Sequence, residues 1–203
     1  EVSTDGTTWH PATGTTSWSY TFYAAGSADL VVRARAIDDS GNIGATPAST
    51  TFPLAGPASL FGQRTPAVPA VTDDSAAVTL GVKFTPSNNG NITGIRFYKG
   101  TGNTGTHTGT LWSSTGQPLR TGTFTNETAT GWQTLTFSSP VQVAAGTTYV
   151  ASYYAPTGRY SADERFFSSL DWKSGPLTAP RGVTSGGNGV YRGGNGFPVE
   201  RSS

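Results

Sequence analysis

Apolar and polar residues alternate along this chain with a period of two, and no window sustains the 3.6-residue period of a helix. Val78, Leu80, Val82 and Phe84 share one side of an extended segment, with Thr79, Gly81, Lys83 and Thr85 on the other. Leu135 and Phe137 oppose Thr134 and Thr136 in the same way. Val141, Val143, Tyr149 and Val150 add apolar content around an Ala144-Ala145-Gly146 turn. Nearer the start, Trp18, Tyr20 and Phe22 alternate with Ser19 and Thr21, while Leu30, Val32, Ala34 and Ala36 alternate with Val31, Arg33, Arg35 and Ile37. Each run is bounded by Gly, Asn, Ser or Pro, the mark of antiparallel strands joined by turns. The pattern predicts an all-β chain with under about a tenth of its residues helical.

Two segments emerge. Residues 1–56 fit a partial immunoglobulin-like sandwich, in which Asp38-Asp39-Ser40-Gly41-Asn42 turns the chain and Ile43–Phe52 returns it. Such a sandwich needs about seven strands in ~100 residues, and only four or five fit here, so an N-terminally truncated domain is expected. Pro53-Leu54-Ala55-Gly56-Pro57 punctuates the chain as a linker. Residues 57–203 carry enough Val, Leu, Ile, Phe and Trp for their own core, and are expected to form a larger, jelly-roll-like antiparallel β-sandwich. The stretch 156–180 is the longest run without a strand pattern, and a duplicated Gly-Gly-Asn-Gly at 186–189 and 193–196 suggests a hairpin around Val190-Tyr191-Arg192.

Charge narrows the partners. Only 12% of residues are Asp, Glu, Lys or Arg, against about 25% in an average globular protein. The net charge is +1 with no basic cluster, so nucleic acid is not expected as a partner. There is no Cys and no Met, which excludes disulfides, thiolate metal sites and a cysteine nucleophile. No apolar run approaches the ~20 residues of a membrane helix. These features suit a secreted or cell-surface module whose neighbours are other domains of a larger protein.

Candidate chemistry is sparse. Gly100-Thr101-Gly102-Asn103-Thr104-Gly105 has the spacing of a dinucleotide fingerprint, but loop and strand follow it where a helix is required. It is expected to be a turn. Asp73-Asp74 precedes the first strong strand, where carboxylates together with backbone carbonyls can hold a structural Ca2+ or simply cap a solvated turn. The remaining carboxylates of this half, Glu127, Asp163, Glu164, Asp171 and Glu200, include no pair at evident glycosidase spacing. No nucleophile elbow or zinc motif occurs either, so no catalytic residue is expected and the chain is read as a non-enzyme. The ligand-binding candidates are His107, Trp112, Trp132, Arg165 and Trp172. Trp112 and Trp132 fall on the strand faces opposite Leu111 and Leu135, and Trp172 lies with Arg165, Phe166, Phe167 and Lys173 in the irregular stretch. Indole faces stack on sugar rings, and Arg, Asn or Thr can bond the hydroxyls. Core packing of the same indoles is the competing reading.

Two resemblances add to this. The strings STDGTTWHPATG, SWSYTF and RARAIDDSGN resemble the C-terminal half of bacterial immunoglobulin-like repeats. SLFGQRTP at 59–66, GIRFYKG at 94–100, NTGTHTGTLWSSTG at 103–116, GWQTLTF at 131–137, AGTTYVASYYAP at 145–156, GPLTAP at 175–180 and NGVYRGG at 188–194 resemble the bacterial family called domain of unknown function 4082. That resemblance implies an exported β-sandwich, often beside immunoglobulin-like repeats or polysaccharide-active domains, and no established activity. The family's pattern closes with a further aromatic strand, so an unpaired edge is expected. The expected function is a non-catalytic accessory module that binds polysaccharide or a cell-surface glycan through loop aromatics. The alternative is a purely structural spacer or adhesion segment. Exposure of Trp112, Trp132 and Trp172 separates the two.

Overall fold

A computed structural model describes residues 1–22, 29–53, 56–71 and 73–201. Leu54 and Ala55, the middle of the linker expected at 53–57, lie outside the described residues. The chain is 44% strand and 2% helix, and every strand pair among the described residues is antiparallel, as the period of two predicts.

Residues 1–52 form β1 (Val2–Ser3), β2 (Thr13–Gly14), β3 (Trp18–Ser19), β4 (Leu30–Ala34) and β5 (Ala48–Phe52). β4 lies between β1 and β5 in one sheet, and β2 pairs with β3. β4 is half-buried along its whole length and β5 is exposed. β4 therefore shows no contrast between the two sides of its alternation. The return strand is also shorter than expected: Ile43 makes only an isolated bridge to Ile37 before β5 begins. Tyr20 stacks between His10 and Phe22 at centroid distances of 5.9 and 6.0 Å.

From Val78 onward come β6 (Val78–Pro86), β7 (Gly90–Lys99), β8 (Thr108–Ser113), β9 (Pro118–Thr123), β10 (Gly131–Val143) and β11 (Tyr149–Ala155). They are followed by β12 (Trp172–Ser174), β13 (Leu177–Ala179), the helical turn α1 (Gly182–Ser185), β14 (Val190–Gly193) and β15 (Glu200–Arg201). The large sheet runs β9-β8-β11-β6. The far edge of β6 is then shared, with β14 pairing over Val78–Gly81 and β13 over Thr85–Pro86. Among the described residues β7 and β10 alone make the opposing layer. Phe84, Leu111 and Tyr149 meet Ile95, Phe97, Leu135, Phe137 and Val143 between the two layers. Among the described residues no strand of 1–52 pairs with any strand of 78–201.

Three local features hold this sandwich together. The first is a pit. Gly109 of β8 and Gly122 of β9 lie opposite one another, and Leu135 of β10 fills the space their missing side chains leave. The second is a splice. Between β14 and β13, the Asn188 carboxamide accepts from the Lys83 N–H at 2.9 Å and donates to the Lys83 carbonyl at 3.1 Å. One side chain thereby does the work of a strand residue. The third corrects the reading of 156–180 as strandless. Gly175 and Pro176 make a tight reversal there, letting β12 and β13 pair, and Leu177 and Thr178 extend the sheet on Pro86 and Thr85.

β7 pairs with β10 from Gly90 to Lys99, with a bulge between Thr136 and Val141. Its other edge meets no strand among the described residues. That edge positions the candidate site.

Candidate functional site

Residues 59–64 belong to no strand, so their carbonyls must find partners elsewhere. Side chains supply them. Ser174 Oγ donates to Ser59 O, Trp172 Nε1–H to Leu60 O, Arg96 Nη1 to Gly62 O and Trp132 Nε1–H to Arg64 O. Two of the candidate ligand-binding indoles thus fasten the lead-in segment. Trp132 does face away from the core, as strand parity expects, but that outer face is covered. Its ring meets Tyr98 edge-on at 5.7 Å and lies 4.8 Å under the Arg96 guanidinium. Trp172 sits on β12 against Phe166, 5.1 Å away. Trp112 also faces away from the core, yet it donates to Ser152 Oγ at 2.8 Å and packs 5.5 Å from Phe197. All three indoles are half-buried.

His107 is 0% exposed, so in this conformation its ring offers no face to a ligand. Nδ1 lies 2.9 Å from both carboxylate oxygens of Glu127, and Nε2 lies 2.8 Å from Asn103 Oδ1. Lys99 Nζ completes the group at 2.8 Å from Glu127 Oε2. This network ties the glycine-rich 100–107 turn to the loop before β10. Sequence reasoning missed Glu127 and Lys99 as partners of His107, since 20 and 8 residues separate them along the chain. Their only signal was charge in a charge-poor chain. Arg165 is exposed with a left-handed φ of 55°. Of the calcium candidates, Asp73 is exposed, while Asp74 Oδ1 accepts from the Ala76 N–H and its Oδ2 lies 3.4 Å from the Tyr160 hydroxyl. Among the described residues no three His, Cys, Asp or Glu side chains gather as a metal would require.

A cleft of about 640 Å³ lies beside the open edge of β7, within the usual range of ligand sites. Val78, Leu80 and Val82 of β6 form its floor, Ile95 to Tyr98 one wall, and Tyr160, Asp163, Phe166 and Tyr191 much of the rim. Its carboxylates are engaged. Asp163 accepts from Arg64 at 3.1 Å and from the Ala67 N–H, and Asp74 faces Tyr160. Burial, with Asp74 second, pushes the Tyr160 hydroxyl above its ordinary range. Burial likewise raises Tyr153 and lowers Arg96. No nucleophile is paired with a base here. The arrangement can bind: apolar walls, aromatic edges and a few polar anchors.

The sequence model of the family described as Domain of unknown function (DUF4082) matches residues 63–203. No curated protein and no solved structure matches the chain.

Proposed function

We propose that this chain, which belongs to the family described as Domain of unknown function (DUF4082), is a non-catalytic structural and adhesion module of a secreted or cell-surface protein. In this reading residues 1–56 and 57–203 are two β domains that act by holding other polypeptides. The observation that carries it is the internal engagement of the aromatics. The indole N–H groups of Trp112, Trp132 and Trp172 each donate within the chain, so these three half-buried rings are held by the fold. The engaged carboxylates of the cleft argue in the same direction against catalysis.

Polysaccharide binding is the second reading, and the cleft itself favours it, because Tyr98, Tyr160 and Tyr191 offer rings beside Arg and Asp anchors. A glycan array and a pull-down on insoluble polysaccharides, both with the full chain, test the choice. Silence on both is expected. Sugar capture that is lost in Tyr191→Ala would move the function to the second reading.

A further inference from the structure

We propose that the cleft along the free edge of β7 is a docking slot for an extended polypeptide segment. The segment would alternate bulky apolar with polar residues and carry an acidic residue beside Arg96. This rests on the adhesion reading above and names the class of partner.

The free edge of β7 locates the slot. Four consecutive β7 residues, Ile95, Arg96, Phe97 and Tyr98, all line the cleft. β7 also ends its layer, since its second edge meets no strand among the described residues, so the cleft beside these four residues lies along that edge. From the opposing layer β6 contributes Val78, Leu80 and Val82, with Gly81 between the last two. The slot therefore occupies the position of a third strand in the small layer, which has two strands facing a much wider sheet.

The edge offers a strand's own bonding groups. Ser161 Oγ approaches the Tyr98 carbonyl at 3.1 Å from the cleft side, so that carbonyl points away from β10. Alternation turns the N–H and C=O of Arg96 the same way. An added strand would bond them, place its apolar side chains over Val78, Leu80 and Phe97, and place its polar ones next to Arg96 on the outer face. The four lining residues span ~13 Å at about 3.3 Å each.

Charge selects among segments. Arg96 is half-buried, donates to Gly62 O and faces Trp132, yet no carboxylate lies within ion-pair distance of it among the described residues. Arg64, the neighbouring cation, is already paired with Asp163. A carboxylate on the incoming strand would answer the one half-buried cation of this wall that lacks a counter-charge, and cross-strand opposite charges are favourable.

Three fluorescent peptides of about strand length test this. In the first, valine alternates with threonine and one central threonine is replaced by glutamate. The second carries lysine there, and the third scrambles the first so that alternation is lost. Titrated into the full chain, the glutamate peptide should bind at least about tenfold tighter than the other two, and the order of glutamate and lysine peptides should reverse in Arg96→Glu. On the native chain, hydrogen exchange at the Arg96 and Tyr98 backbone N–H groups should slow when the glutamate peptide binds, a readout that stands even if Arg96→Glu fails to fold. Equal or absent binding of the three peptides, with both amides unprotected, overturns the slot while leaving the adhesion reading intact. A sugar that protects the same amides overturns both.

Discussion

Gly109→Ala sets two well-understood effects against each other. Gly109 and Gly122 have no left-handed φ, so an alanine fits the backbone at either place. Where that holds, glycine to alanine stabilises by about 0.4–1 kcal/mol through the unfolded chain. Packing works the other way. A Cβ at 109 would stand 2.9 Å from Leu135 Cδ2, 3.0 Å from Phe124 Cε2 and 3.1 Å from Ile95 Cβ. At 122 it would stand 2.8 Å from Leu135 Cδ1. These neighbours are core side chains with nowhere to retreat, and overpacking of this kind costs about 1–3 kcal/mol. Packing should win, leaving Gly109→Ala destabilised by about 1–2 kcal/mol, or about 2–8 °C in Tm at this size. Leu135→Ala alone should cost about 2–5 kcal/mol through the cavity it opens. Combined, the closest contact of the new methyl, with Leu135, is gone and the cavity gives it room, so the double variant should be less damaged than the sum by about 1 kcal/mol or more. Urea melts of the four proteins close the cycle. A stabilised Gly109→Ala, or additivity within about 0.5 kcal/mol, would refute the pit.

Other consequences can be measured on the same protein. Trp172→Ala removes the indole that holds Leu60 and packs on Phe166; it should cost about 2–4 kcal/mol of folding stability, and an unchanged melt would mean the ring is free for a ligand. Asn188→Ala leaves the Lys83 N–H and C=O without the splice, at about 1–3 kcal/mol per orphaned buried group, whereas a loss below about 0.5 kcal/mol would show that water replaces the amide. The partly buried Tyr153 has its hydroxyl raised above the ordinary 10.0 by burial. The unfolded chain therefore loses that proton first, so stability is intact below pH 10.0 and falls above it, at up to about 1.4 kcal/mol per pH unit. Tyr153→Phe should flatten that decline in urea midpoints taken from about pH 8 to about pH 12; an equally steep decline would assign it to other groups.

Strand faces are legible in this sequence where one side meets a core. Phe84, Leu135 and Phe137 are buried on the sides that alternation assigns, and Trp112 and Trp132 lie on the opposite ones. Parity places a side chain above or below its own sheet, but it cannot reveal what lands on the outer face. Here the covers come from distant chain: residues 60–64 over Trp132 and Phe197 over Trp112. The same distance hid Glu127 from His107. Gly109 and Gly122 sit among Thr-Gly repeats that turn chemistry explains equally well, so their packing role has no local signal. In β12 and β13, strands of three residues are too short to establish an alternation, and only their pairing with each other, and of β13 with Pro86 and Thr85, makes them strands.

The fastening of residues 59–64 has a mechanical meaning. Its anchors stand on β7, β10 and β12, which belong to both layers. Tension arriving along the chain from the N-terminal side meets these side-chain bonds before it reaches β6. The load is then shared across the thickness of the sandwich, where a pull on β6 alone would peel a single ladder from its end. Detachment would be a sequence of small yields, each releasing a few residues of slack while the core stays closed. A segment held this way is a shock absorber in series with a rigid block.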